Sequence, residues 1–178
     1  MVKDFQIQSY LRDVPDFPKP GIIFKDITPL LANPEIRRQV VDEIAGHYQN
    51  QQLDAIAAIE ARGFIFGTLL ADALNVPFIP VRKSGKLPYH KIQEEYSLEY
   101  GTASIEMHID AIPVGARVLI HDDLLATGGT ASAAANMIQR LGGLVGGFSF
   151  IINLAFLPGA QNLEARYGLK PHYLVSYS

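Results

Sequence analysis

The sequence predicts an α/β fold: an open, mostly parallel twisted sheet with helices on both faces. Three observations carry that expectation. First, "LDAIAAIEARGFIFGTLLADALNVPFIPVRK" reads as a buried strand (Asp54 to Ile59), a sharp loop, a helix (Phe64 to Leu74) and a second strand (Val76 to Val81). That is a βαβ unit, and such units place their strands side by side in parallel. Second, the pattern repeats: "GARVLIHDDLL" is a buried strand, "TGGTASAAANMIQRL" a helix and "GLVGGFSFIINL" another strand. Third, 178 residues with 48% hydrophobic content can bury a sizeable core, and no linker or repeat divides them. One domain over residues 1–178 is expected.

The other segments fill in around this frame. Asp4 to Leu11 reads as a short amphipathic helix, followed by the proline-rich "VPDFPKPG". A helix from Pro34 to about Asn50 starts behind Asn33, a suitable N-cap with proline in the first turn. Between the second and third core strands lies the polar insertion "KSGKLPYHKIQEEYSLEYGTASIEMHID". Its first part is rich in turn residues and charges, and "YSLEYGTASIEMH" alternates like a hairpin. A large mobile loop is expected here, with Glu95 and Glu106 as outward-facing strand carboxylates.

Composition narrows the function classes. The 15 basic and 18 acidic side chains leave a formal net charge of −3, without the basic excess of a general nucleic-acid binder. There is no cysteine, so disulfides and thiolate metal sites are excluded. "MVKDFQIQSYLRD" has no apolar core of the secretory type. "LVGGFSFIINLAFL" is too short to cross a bilayer and contains Asn153. A soluble cytoplasmic protein with no nucleic-acid or membrane partner is the expectation. No G-x-x-x-x-G-K-[ST] loop, G-x-S-x-G elbow or H-E-x-x-H pair occurs, and "GGLVGG" lacks G-x-G-x-x-G spacing. His121 reads as a structural histidine.

The stretch with chemical content is "VLIHDDLLATGGT", Val118 to Thr130. Asp122 and Asp123 stand at the carboxyl end of a core strand, where open parallel sheets bind their ligands. Ala126, Thr127, Gly128, Gly129 and Thr130 then lead into an alanine-rich helix. Glycines allow positive φ and let backbone N–H groups converge, and the helix N-terminus adds a positive dipole end. Such a cup suits a phosphate monoester. The carboxylates suit sugar hydroxyls, which donate to them. Ribose 5-phosphate satisfies both halves. Either half alone would pass for an ordinary turn.

Those residues resemble the phosphoribosyl-pyrophosphate (PRPP) signature of type I phosphoribosyltransferases. "FPKPGIIFKDITPLL", "EARGFIFG", "RKSGKLP" and "YSLEYG" resemble, in order, blocks of the adenine phosphoribosyltransferase family. The resemblance implies purine salvage: transfer of the 5-phosphoribosyl group of PRPP to adenine, releasing AMP and pyrophosphate, with Mg²⁺ carried by PRPP and no direct protein ligand to the metal. It implies pyrophosphate binding by Glu60, Ala61 and Arg62, with a cis bond between Glu60 and Ala61, and by Arg82, Lys83 and Lys86. It implies a homodimer in which Arg82 reaches the neighbouring site, and a closing hood over roughly Ser84 to Tyr96. Glu99, with Tyr100 beside it, is implied to handle the adenine ring proton as general acid or base. Phe24 is implied to stack on adenine while main-chain groups of Phe24 and Lys25 read its amine edge. The family often carries arginine where this chain has Ser84 and Lys25.

Taken alone, Arg62 fits a helix-start surface arginine equally well, the basic run fits a solvated surface and Phe24 fits a core position. Two other functions stay open on the sequence. One is transfer to a 6-oxo purine such as hypoxanthine, guanine or xanthine, which a lysine donor at position 25 would favour. The other is a PRPP-sensing regulator without catalysis, which normally adds a basic DNA-binding segment.

Overall fold

The segment Ala55–Ile59, AIAAI, is buried at every position. An all-apolar run of this length belongs inside a sheet covered on both faces, and that is where it lies. The computed structural model describes residues 7–97 and 101–178. In chain order it has a 3-10 turn (Ile7–Tyr10), β1 (Arg12–Pro15), β2 (Ile23–Asp26), α1 (Thr28–Ala32), α2 (Pro34–Tyr48), β3 (Ala55–Ile59), α3 (Arg62–Leu74), β4 (Phe78–Lys83), β5 (Lys91–Ser97), β6 (Thr102–His108), β7 (Arg117–Leu125), α4 (Gly129–Arg140), β8 (Leu144–Leu154), α5 (Gly159–Tyr167) and β9 (His172–Tyr177).

Seven strands form the main sheet in the order β5-β6-β4-β3-β7-β8-β9. The run from β4 to β9 is parallel. At the other edge β6 pairs antiparallel with both β4 and β5. Two apolar layers cover it. Val40, Val41 and Ile44 of α2 and Phe66 and Leu70 of α3 pack on one side with Ile56 and Leu119. Ala131, Ala134, Met137 and Ile138 of α4 and Leu163 of α5 pack on the other with Ile120, Phe148 and Phe150. The expected fold class is therefore the observed one.

Small residues bring α3 close to the sheet. A Cβ added at Gly67 would collide with the Ala58 Cβ, so this crossing requires glycine. Asn33 caps α2 as expected, its side chain accepting from the N–H groups of Glu35 and Ile36 at 3.0 and 3.1 Å.

Three expectations need correction. Ile7–Tyr10 is a 3-10 turn rather than part of a longer α-helix, and positions 4–6 lie outside the described residues. The polar insertion is not a long loop: Lys91–Ser97 is strand, its exposed and half-buried positions alternating, paired over its length with β6. Charged residues such as Lys91, Glu94 and Glu95 suit an edge strand, which explains why their density reads as loop. Glu106 does not face outward. It is fully buried between Ile105 and Met107, because β6 lies inside the sheet with both faces covered.

Candidate active site

Strand β7 carries the aspartates into the sheet's ligand-binding end and continues as far as Leu125 before the loop begins. Asp123 is buried, and its Oδ2 lies 2.7 Å from Arg62 Nε. Asp122 turns back to accept the Asp123 N–H on its Oδ1 at 2.9 Å. A Cβ on Gly63 would stand 2.9 Å from that same Oδ1, so glycine lets the first turn of α3 close onto the acid pair. Burial, then the neighbouring Asp123 charge, push the Asp122 carboxyl well above its ordinary range. Burial also raises Asp123, opposed by the Arg62 guanidinium. The pair is short of positive charge and placed to gain from any donor or cation that enters.

The loop beyond it is built from backbone. Gly128 takes φ +82°, and α4 starts immediately after it with no side-chain cap. The first N–H groups of α4 therefore converge at a helix N-terminus without a local acceptor. Helix α5 supports the loop from behind. Asn162 Nδ2 donates to the Thr127 carbonyl at 3.3 Å, and a Cβ on Gly159 would collide with the Ala126 carbonyl oxygen. A cavity of about 230 Å³ joins Arg62, Asp122, Asp123 and the loop from Ala126 to Thr130. The acids and the glycine loop thus share one cavity. On its hood side the loop is met by β5, with Tyr96 and the Ser97 carbonyl both 3.4 Å from the position of a Gly129 Cβ.

The EARG segment sits beside this cavity. The Glu60–Ala61 peptide bond is cis. Glu60 collects two cations and one backbone donor: Arg82 Nε at 3.1 Å, Lys86 Nζ at 3.0 Å and the Lys83 N–H at 3.0 Å. Burial would raise its pKa, but hydrogen bonds from Lys86, Arg82 and Lys83 hold it down at about 2. In this structure Glu60 is an anion that orders the cations of the turn. Arg82 is turned onto Glu60 of its own chain and donates through Nη1 to the Lys86 carbonyl at 2.7 Å. Lys83 is exposed, on the same turn.

Phe24 on β2 stands edge-on to Phe17 with centroids 5.2 Å apart, and the Arg62 guanidinium lies 4.7 Å from its ring centre. It is half-buried, beside the cavity-lining Arg62, rather than in the core. Lys25 faces the other way. Its Nζ binds Asp13 Oδ1 at 2.7 Å and sits 3.8 Å over the Tyr177 ring. Only its backbone is left for a ligand at the slot. Glu99 and Tyr100 lie outside the described residues. His121 is fully buried; burial lowers its pKa to about 3, and Nδ1 meets Ser149 Oγ at 3.4 Å, so it is a neutral core histidine. Among the described residues no group of three or more His, Asp or Glu side chains is placed to hold a metal.

Sequence reading missed the second buried carboxylate, Glu106, and the Asp13–Lys25–Tyr177 cluster. Glu106 gave no signal beyond its place between two apolar neighbours. Asp13 and Tyr177 come from the two ends of the chain, a juxtaposition no local pattern announces.

Comparison with known proteins agrees with this geometry. Residues 26–155 match the phosphoribosyl transferase domain family. Adenine phosphoribosyltransferase of Thermobifida fusca is 52% identical over 157 residues, covering 88% of this chain and 89% of the relative. The crystal structure of adenine phosphoribosyltransferase from Thermoanaerobacter pseudethanolicus superposes with a TM-score of 0.92 at 47% identity, covering 96% of this chain and 98% of that one. The Saccharomyces cerevisiae enzyme, solved with adenine and an imino-altritol bisphosphate, gives a TM-score of 0.88 at 36% identity, covering 95% and 96%. With the acid pair, the glycine loop and these matches in agreement, the chain belongs to the adenine phosphoribosyltransferase family.

Proposed function

We propose that the chain transfers the 5-phosphoribosyl group of PRPP to adenine, forming AMP and pyrophosphate. The observation that carries this reading is the single cavity shared by a buried acid pair and an uncapped glycine loop. The 5′-phosphate lies against the N–H groups of Ala126 to Thr130, with the Thr127 and Thr130 hydroxyls as further donors. Asp122 and Asp123 accept from the ribose hydroxyls, which holds the anomeric carbon in line between the two other ligands. Mg²⁺ carried by PRPP would neutralise charge on the pyrophosphate, with no direct protein ligand. A divalent cation in this cavity suits the acid pair, since it favours the ionised form that burial disfavours.

Arg62 faces the pyrophosphate from the start of α3, Lys83 and Lys86 from the neighbouring segment, and Arg82 from the same segment of the partner chain. As the bond from the anomeric carbon to the pyrophosphate oxygen breaks, that carbon takes oxocarbenium character and adenine N9 adds to it. The N9 proton leaves to a base, the role we assign to Glu99 with Tyr100 beside it. Phe24 supplies the stacking face for the base, and backbone groups of Phe24 and Lys25 read the amine edge. The feature that favoured a 6-oxo purine was a free lysine donor at position 25. Its ammonium is engaged by Asp13 and Tyr177, which supports adenine.

We further propose one domain, a homodimer in which Arg82 of each chain reaches the other's site, and a cytoplasmic location. No helix among the described residues is long and apolar enough to cross a membrane. The test of function is pyrophosphate release with PRPP and Mg²⁺, comparing adenine, hypoxanthine, guanine and no base. Release with adenine alone is expected. Release with an oxo-purine instead refutes the slot, and PRPP binding without release for any base points to a regulator.

A further inference from the structure

Arg82 and Lys83 end β4, and Lys86 lies in the turn that follows. Backbone bonds from the Ser84 N–H to the Ser104 carbonyl (3.1 Å) and from the Lys86 N–H to the Lys83 carbonyl (3.3 Å) tie this turn, and side chains complete it. The N–H groups of Lys86 and Leu87 both donate to Glu106 Oε1, at 2.9 and 3.0 Å. The Leu87 carbonyl accepts from Lys91 Nζ at 2.9 Å, and the Lys86 carbonyl from Arg82 Nη1 at 2.7 Å. Lys91 Nζ also lies 2.7 Å from Glu106 Oε2. Every backbone polar group of Lys86 and Leu87 is thus met by a side chain that approaches from a strand.

The Glu106 side chain is 0% exposed. Burial would raise its pKa, but Lys91 and the two N–H groups outweigh that and hold it below the usual carboxylate range. A buried anion is costly to keep unless its oxygens are paired, so the arrangement exists only as a complete unit. A second buried carboxylate, Glu60, gathers the charged ends of Arg82 and Lys86 and the Lys83 N–H. The two acids divide the work. Glu106 shapes the backbone of the turn, and Glu60 aims its cations.

We infer that Glu106 and Lys91 are positioning residues for pyrophosphate: as an ion pair whose carboxylate is buried, they fix the Lys86–Leu87 backbone and so place Arg82 and Lys86 toward the leaving group. The inference rests on the pyrophosphate role proposed for this turn. An ordinary stabilising ion pair would alter folding without distinguishing one substrate from the other, whereas a positioning pair acts on one substrate.

The test is steady-state kinetics of Glu106→Gln, Lys91→Met, their double variant and Lys91→Arg, with Arg82→Ala as a control on the turn itself. Glu106→Gln and Lys91→Met should each raise KM for PRPP and weaken pyrophosphate inhibition by roughly 10-fold, with KM for adenine within about twofold. The double variant should be little worse than the stronger single, since the partners act as one unit. Lys91→Arg should restore most of the loss. Unchanged PRPP kinetics in a folded Glu106→Gln or Lys91→Met enzyme overturns the inference, as do losses shared equally by both substrates in step with Tm. If Glu106→Gln does not fold, Lys91→Met, at a partly exposed position, decides alone. Arg82→Ala without effect on PRPP overturns both the pyrophosphate reading of the turn and this inference; a weakened Arg82→Ala beside a normal Glu106→Gln overturns the inference only.

Discussion

The glycine loop after β7 and the cationic turn after β4 are both assigned to phosphate oxygens, and they are built on opposite principles. From Ala126 to Thr130 there is no charged side chain; the donors are backbone N–H groups, shaped by α5 packing from behind. From Arg82 to Lys86 there are three cations on long side chains, shaped by two buried carboxylates. Backbone donors fixed by packing need no counter-charge and lose no side-chain entropy on binding. Flexible cations need an anion to aim them, and that anion competes with the ligand. The loop should therefore respond to changes in volume, and the turn to changes in charge.

The largest effect is expected at Asp123, where a buried charge pair adjoins the backbone loop. Its carboxylate is buried against Arg62, which itself bridges to the Phe24 ring. Asp123→Asn leaves Arg62 without its buried partner and removes one acceptor for ribose. A fall in kcat/KM for PRPP on the order of 100-fold is expected, the scale of a broken buried charge pair. Near-normal kinetics would mean that the loop binds the sugar phosphate without the acids, and the two regions would be independent.

Gly159→Ala tests the packing side. The new methyl meets the Ala126 carbonyl, so either α5 or the loop must shift. AMP affinity should fall by roughly 10-fold, while its dependence on ionic strength stays that of the parent, because no charge has changed. Titration calorimetry at low and high salt reads both quantities. An unchanged affinity would show that α5 does not set the loop; a changed salt slope would show that the loop owes more to charge than its composition suggests.

The same contrast explains what the sequence made legible. The loop is local: an acid pair, two glycines and a helix start lie within nine residues from Asp122 to Thr130, so spacing alone exposes it. The parallel strands were legible too, since β3 is wholly apolar and β7 and β8 are predominantly apolar and buried. The turn is assembled across the chain. Glu60 and Arg82 meet through the β3–β4 pairing, Lys91 and Glu106 join them through β6 pairing with β4 and β5, and no period or motif encodes that meeting. The edge strand β5 was hidden by its charges, and the short β1–β2 hairpin by its prolines. Helix α5 and strand β9 lack a motif to mark them, although α5 supports the loop. Lys25 shows the limit of residue-type reasoning: its ammonium faces Asp13 and Tyr177 instead of the base.

The smallest expected effect is thermodynamic and belongs to the turn alone. Glu60 has a folded pKa of about 2 against an ordinary 4.5, a depressed value, so its ion pairs stabilise the native state fully above pH 4.5. That stability is lost as pH falls from 4.5 through about 2, below which the carboxyl is protonated in both states. At neutral pH it should amount to about 1 kcal/mol once solvent screening of the half-exposed Lys86 is allowed for. In Glu60→Gln this contribution is absent at every pH. The Tm difference between parent and variant should therefore be constant from pH 7 to about 5 and shrink across the acid window read from the Glu60 shift. The destabilisation of Gly159→Ala, which is steric, should keep its size over the same range. If instead the Glu60→Gln gap is flat to pH 2, Glu60 is a packed carboxyl rather than the counter-ion of the turn, and the distinction between a loop held by volume and a turn held by charge fails at its simplest point.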